Sequence, residues 1–155
     1  MRIIGIDPGK TGGLSFHSEE VVAVEKLPEN AKDLLSLIEA VGPVDAAYVE
    51  KIYLPTGKAG ALNFASGWGK ILAVLEIAQI RTELVTPQRW MKALDCMTKG
   101  DKNVTKARAF AEFGHLAYDN GKTLPITHWS SDALLIGHYG YLMEVENGLS
   151  ALYQR

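Results

Sequence analysis

The hydrophobic pattern of the first fifty residues alternates between strand-like and helix-like stretches. Short apolar runs, rich in β-branched residues and separated by glycine-rich or Ser-Glu-Glu segments, predict an antiparallel meander of three strands at 3–6, 13–17 and 21–27. Apolar residues then recur at helical spacing over 34–41, after a possible helix cap at Asn30. A further apolar run at 44–49 predicts a strand, which a right-handed crossover would lay parallel to the first.

The rest of the chain continues this alternation of strands and helices. We predict a long helix at 59–80, a short strand at 81–85 and a short helix that begins at Pro87. A further helix is predicted at 103–113, then a loop at 114–127 and a last helix from 129 to about 145. This order predicts an α/β protein with a five-stranded mixed sheet, in which the first three strands are antiparallel and the rest parallel, flanked by helices.

Length and composition narrow the class of protein. A chain of 155 residues fits one domain, 1–155, with its own core. No apolar run is long enough to span a bilayer, and no cleavable signal pattern precedes the first strand, so we expect a cytoplasmic protein. The single cysteine, Cys96, cannot form an internal disulfide and is expected to be structural.

Charge is unevenly distributed. The net charge is −2, which by itself argues against a nucleic-acid partner. Between Arg81 and Arg108, however, seven basic residues stand against three acids, a local charge of +4 that leaves −6 for the remainder. This basic segment is a candidate nucleic-acid surface, and the alternative is a solvated helix face.

Three acids occupy positions suited to chemistry. Asp7 ends the first strand and enters the Pro8-Gly9 turn, Glu50 ends the fourth strand, and Asp132 lies in the first turn of the last helix. Carboxylate oxygens bind hard cations such as Mg²⁺, and two such ions can activate water and stabilise the leaving oxygen of a phosphodiester. Taken singly, each acid has another interpretation: a turn cap, a surface charge at a strand end, or an acid favoured by a helix N-terminus.

The order of elements and these acids together match the ribonuclease H-like plan. The chain also resembles the RuvC-type Holliday-junction resolvases, most closely their compact phage-encoded branch. Five segments carry the resemblance, namely Ile-Gly-Ile-Asp7-Pro-Gly-Lys-Thr-Gly, Val-Glu50-Lys-Ile-Tyr53, Thr-Pro87-Gln-Arg-Trp, Lys102-Asn-Val-Thr-Lys106-Ala-Arg and Asp132-Ala-Leu-Leu-Ile.

The resemblance implies roles for individual residues. The acids matching Asp7, Glu50 and Asp132 bind metal in that family, which implies Mg²⁺, two ions per site, with Mn²⁺ as the alternative. An aromatic residue matching Tyr53 lies beside the junction centre, although Tyr53 could also be an ordinary half-buried aromatic. Lysines matching Lys102 and Lys106 are expected near the scissile phosphates. The other predicted DNA contacts are Lys51, Lys58, Arg89, Lys92, Lys99 and Arg108.

One position departs from the family pattern. Such proteins usually carry an acid or a histidine three residues before the last aspartate, where this chain has Trp129. If the last helix begins at 129, His128 lies close enough to the same helical face to reach the metal or the leaving group. The other interpretation of His128 is a helix cap or a packed residue.

The resulting expectation is a divalent-metal-dependent endonuclease that resolves four-way DNA junctions by paired symmetric nicks. The two-fold symmetry of a junction implies a homodimer, for which the 59–80 helix is the candidate interface, while a branch-migration partner is not identified. Two alternatives remain open. One is a protein that binds branched DNA without cutting it, and the other is a ribonuclease H-like nuclease acting on flaps or RNA/DNA hybrids.

Overall fold

A five-stranded mixed sheet forms the centre of the computed structural model, which describes residues 1–53, 60–117 and 122–153. The strands are β1 (Ile3–Ile6), β2 (Gly13–His17), β3 (Val22–Lys26), β4 (Ala46–Glu50) and β5 (Thr82–Val85). Their order across the sheet is β3-β2-β1-β4-β5, with β1, β2 and β3 antiparallel and β4 and β5 parallel to β1. The predicted fold class is therefore confirmed.

Helices cover both faces of the sheet. They are α1 (Ala31–Val41), α2 (Ala61–Ile77), α3 (Pro87–Ala93), α4 (Asn103–Phe113) and α5 (Ser131–Tyr153). The predicted capping of α1 is confirmed, because the Asn30 side chain accepts a hydrogen bond from the backbone N–H of Asp33 at 2.8 Å. Helix α3 begins at Pro87 as predicted, with the Thr86 side chain as its cap. No helix in the described ranges is long and apolar enough to cross a membrane.

Three predicted helix boundaries are wrong. Helix α2 ends at Ile77 instead of residue 80, because Gln79 adopts a left-handed conformation with φ of 56°. The last helix begins at Ser131 instead of residue 129 and continues to Tyr153 instead of ending near residue 145. Its start is delayed by a turn in which the Ser130 hydroxyl accepts from the backbone N–H of Thr127 at 2.8 Å, a local bond that competes with helix formation.

The core is divided by the sheet into two layers. One layer packs β-strand residues such as Ile4 and Leu14 against α1 and α2. The other packs Ile3 and Tyr48 against α3, α4 and α5. On the second face β1 and α5 touch backbone to backbone, since a Cβ placed on Gly5 would collide with the backbone of Gly137. This close approach brings the first turn of α5 to the end of β1.

Candidate active site

The strand alternation directs Asp7 and Glu50 to the same side of the sheet. Ile6 and Val49, the residues before the two acids, are paired in parallel register and pack in the layer formed with α1 and α2. Because successive side chains of a strand point to opposite faces, the two acids belong to the face covered by α5. They are neighbours at the carboxyl ends of β1 and β4.

The Asp7 carboxylate is held by a tight turn. Its Oδ1 accepts from the backbone N–H of Gly9 at 2.9 Å, and its own N–H donates to the Gly13 carbonyl at 3.0 Å. A Cβ on Gly12 would collide with the Asp7 carbonyl oxygen, so the turn requires glycine there. The turn-capping role considered for Asp7 is therefore real, and it fixes the carboxylate in place beside the other acids.

Two tryptophans converge on Glu50. The indole Nε1 of Trp90, whose side chain is completely buried, donates to Glu50 Oε2 at 2.9 Å. The indole Nε1 of Trp68 donates to the backbone carbonyl of the same residue at 3.4 Å. Both tryptophans lie in predicted helices, a position that by itself is typical of core or interface residues. Their hydrogen bonds to Glu50 span 40 and 18 residues, so no local pattern reveals them.

The third acid, Asp132, lies in the first turn of α5. Its Oδ1 is buried and has no hydrogen-bond partner among the residues that the structure describes. A buried carboxylate oxygen without a donor is unfavourable unless another ligand approaches it. Asp132 therefore presents one oxygen that is suited to a cation.

Burial raises the pKa of all three carboxyl groups, and the charge of a neighbouring carboxylate adds to this for Asp7 and Glu50. Burial raises the pKa of Asp7 to about 6, and the charge of Asp132 adds to the effect. Burial raises the pKa of Glu50 to about 7, against the hydrogen bond from Trp90, and the charges of Asp7 and Asp132 raise it further. The pKa of Asp132 is raised as well, mainly by burial. The charge of Asp132 therefore reaches both other acids, which places the three carboxyl groups in one electrostatic site.

Lys102 and His128 supply opposing charge. Lys102, exposed at the start of α4, lowers the pKa of both Asp7 and Asp132 by its charge. His128 lowers the pKa of Asp132 in the same way, and the polar Thr105 hydroxyl also lowers it. The expectation that His128 lies on the helical face of Asp132 is wrong, because residues 128–130 form the turn before α5. The exposed imidazole is nevertheless near enough to influence Asp132 electrostatically.

The predicted DNA contacts differ in their availability. Tyr53 is 67% exposed. The basic residues that are also exposed are Lys51, Arg89, Lys92, Lys99 and Lys106. Arg108 is instead held within the protein, since its Nε donates to the Leu94 carbonyl at 2.9 Å and its Nη2 pairs with Glu112 at 3.2 Å. Lys58 lies outside the described residues.

The donor set fits a divalent cation chemically. In the described part of the chain, no three His, Cys, Asp or Glu side chains are arranged as a ready-made metal-binding group. The carboxyl groups of Asp7, Glu50 and Asp132 nevertheless share one electrostatic site, and Asp132 Oδ1 is without a donor. Hard oxygen ligands with excess negative charge are what Mg²⁺ and Mn²⁺ bind.

The sheet order, with acids at the carboxyl ends of β1 and β4 and in the first turn of α5, defines a ribonuclease H-like α/β protein. Among solved structures, the chain is similar to RuvC of Thermus thermophilus, with a TM-score of 0.56, 18% identity, and coverage of 93% of this chain and 97% of that one. It is also similar to T. thermophilus RuvC in complex with a Holliday junction substrate, with a TM-score of 0.53, 18% identity, and coverage of 92% and 96%. The chain thus has the fold of RuvC. No family model and no curated protein matches it.

Proposed function

We propose that this protein is a divalent-metal-dependent endonuclease that resolves four-way DNA junctions by paired symmetric nicks. The observation that supports the proposal is that Asp7, Glu50 and Asp132 are all half-buried and that the charge of Asp132 raises the pKa of both other acids. The similarity in fold to a RuvC that was solved with a Holliday junction substrate supports the choice of DNA structure.

Asp7, Glu50 and Asp132 would hold the metal, with His128 as an additional candidate ligand at the exposed edge. When bound, two Mg²⁺ or Mn²⁺ ions would supply an activated water and stabilise the departing oxygen of a phosphodiester. The lysine at 102 would lie beside the scissile phosphate and neutralise charge there. The Gly9 N–H and the Trp90 indole would keep two of the carboxylates oriented before DNA arrives.

DNA would approach over the exposed basic residues of the 81–108 segment and Lys51. Their positive charge favours phosphate, and the exposed ring of Tyr53 would stack on a base at the open centre of the junction. Arg108 is a weaker candidate for DNA contact than its neighbours because its guanidinium is already paired. We also propose a homodimer, with α2 as the interface, acting in the cytoplasm of a bacterial or phage-infected cell. Assignment to the phage-encoded branch remains a prediction.

The decisive experiment offers a synthetic four-way junction, a flap and an RNA/DNA hybrid to the protein with Mg²⁺ or Ca²⁺. We expect symmetric nicking of the junction with Mg²⁺, and loss of nicking with retained binding for Asp7→Asn. Asp33→Asn, on the exposed surface of α1, is the matched control and should cut normally. His128→Ala tests whether the imidazole replaces the missing fourth acid.

Two outcomes would contradict the proposal. Cleavage confined to flaps or hybrids would show another ribonuclease H-like nuclease. Junction binding without cleavage, in Mg²⁺ or Mn²⁺, would show a protein that recognises branched DNA only, an alternative that Trp129 favours because it stands where the family carries its fourth ligand.

A further inference from the structure

We infer that Trp90 is a positioning residue for cation binding: its indole N–H holds Oε2 of the Glu50 carboxylate and leaves Oε1 for a divalent ion. This inference rests on the proposed function in so far as Glu50 is taken as a metal ligand. It concerns a residue that does not itself contact metal or DNA.

The first support is the path by which the chain delivers Trp90 to the site. Glu50 and Val85 are paired in the parallel register of β4 and β5, and the Lys51 N–H donates to the Val85 carbonyl at 2.7 Å. The Thr86 cap then starts α3 immediately after β5, and Trp90 lies one turn into that helix. A short, hydrogen-bonded connection therefore fixes the indole relative to the carboxylate.

The second support is burial. Trp90 is 0% exposed and packs in the core layer with α4 and α5, so its ring has no freedom to turn away. An indole N–H can only donate, and a buried donor needs an acceptor. Among the described residues, Trp90 Nε1 is the one donor to the Glu50 carboxylate, and it reaches Oε2 at 2.9 Å. The other oxygen keeps its lone pairs for a further ligand.

The third support is the contrast with Trp68. Its indole N–H reaches the same residue from the opposite face of the sheet, but it donates to the backbone carbonyl at 3.4 Å. Trp68 therefore holds the strand end, whereas Trp90 holds the side chain. The two indoles form a matched pair, in which only one should affect cation binding.

The test replaces Trp90 site-specifically with 3-benzothienylalanine, in which sulfur takes the place of the indole N–H and the bicyclic shape is kept. The same replacement at position 68 is the control. Mn²⁺ binding to the DNA-free protein is measured from the electron paramagnetic resonance signal of free Mn²⁺, and folding is checked by the urea midpoint. Trp90→Phe is a second variant, which removes the donor but also leaves a cavity.

We expect the analogue at position 90 to weaken Mn²⁺ binding about 10-fold to 100-fold, the range found when groups that orient metal ligands are removed. The analogue at position 68 should leave the affinity within about 3-fold. If junction cleavage is also measured, excess Mn²⁺ should restore most of kcat for the position 90 variant, because the lost group orients a ligand and takes no part in the chemistry.

Unchanged Mn²⁺ affinity for the position 90 analogue would overturn the inference, as would equal weakening by both analogues. Absence of Mn²⁺ binding by the unmodified protein would also overturn it, since Glu50 would then not be a ligand. Selective weakening at position 90 in a protein that cuts no junction would leave the inference standing and refute the proposed function instead.

Discussion

The raised pKa of Glu50 predicts that replacing this acid with an uncharged isostere stabilises the protein when no cation is present. In Glu50→Gln, the amide oxygen can still accept the hydrogen bond from Trp90, so the substitution removes mainly the charge. The side chain keeps nearly the same volume, and the core around it need not repack.

The magnitude follows from the difference between the folded and unfolded pKa values. The pKa of Glu50 rises from 4.5 to about 7 on folding, chiefly because the carboxyl group is buried. Between these values the folded protein keeps a proton that the unfolded chain has lost, so stability falls as pH rises through this window and is constant above it. At about 1.4 kcal/mol per pH unit, the ionised Glu50 destabilises the protein by about 3 kcal/mol at pH 8.

Urea unfolding in the presence of a chelator measures this difference. Glu50→Gln should exceed the unmodified protein in stability by about 3 kcal/mol at pH 8 and by less than about 1 kcal/mol at pH 5. Glu76→Gln, an exposed position on α2, is the matched control and should change stability by less than about 0.5 kcal/mol. Adding Mn²⁺ at 1,000 times its Kd should reverse the order, because a ligand at that concentration stabilises the unmodified protein by about 4.1 kcal/mol.

The reasoning is refuted if Glu50→Gln is no more stable than the unmodified protein at pH 8. It is also refuted if the gain is equally large at pH 5, since the effect would then come from packing rather than from charge.

Three further predictions concern other parts of the molecule. Lys102→Gln should lower the rate of junction cleavage at least about 10-fold, as measured in single-turnover experiments. In a salt titration, the slope of the logarithm of the binding constant against the logarithm of the salt concentration should fall by only about 1. Arg108→Ala should lower the free energy of unfolding by about 1 kcal/mol, because the ion pair with Glu112 is lost. The same substitution should change junction affinity less than about 3-fold. A large loss of affinity with unchanged stability would contradict this prediction. Gly137→Ala should destabilise the protein by about 1 to 3 kcal/mol in urea, because the added methyl collides with the buried ring of His17, and normal stability would show that α5 can shift away from the sheet.

The elements of this fold are predictable from local signals. The β-branched runs specify the strands, and the Asn30 cap and Pro87 mark helix starts that the structure confirms. The convergence of Asp7 and Glu50 also follows from the sequence, because parallel neighbouring strands end at the same edge of the sheet. Helix ends were predicted less well at Ile77 and Ser131, where a left-handed residue and a serine-bonded turn override the apolar pattern.

The parts of the site that the sequence does not reveal are those made by distant side chains. Nothing in the sequence near Trp90 indicates that its N–H donates to an acid 40 residues earlier. Likewise, nothing near Arg108 indicates that its guanidinium is bonded to the Leu94 carbonyl and paired with Glu112. A buried indole N–H must find an acceptor, and this rule is the one sequence-level indication that Trp90 makes a specific hydrogen bond. Identifying the acceptor required the tertiary structure.

The contact between Gly5 and Gly137 has a consequence for the order in which the molecule is assembled. Asp132 reaches its fellow acids only when the last helix has docked on the first strand, so a nascent or partly folded chain lacks one of the three carboxylates. Any competence that depends on all three therefore requires α5 to be docked on the sheet. If the proposed function is right, chains in which α5 is not docked would leave nucleic acid uncut.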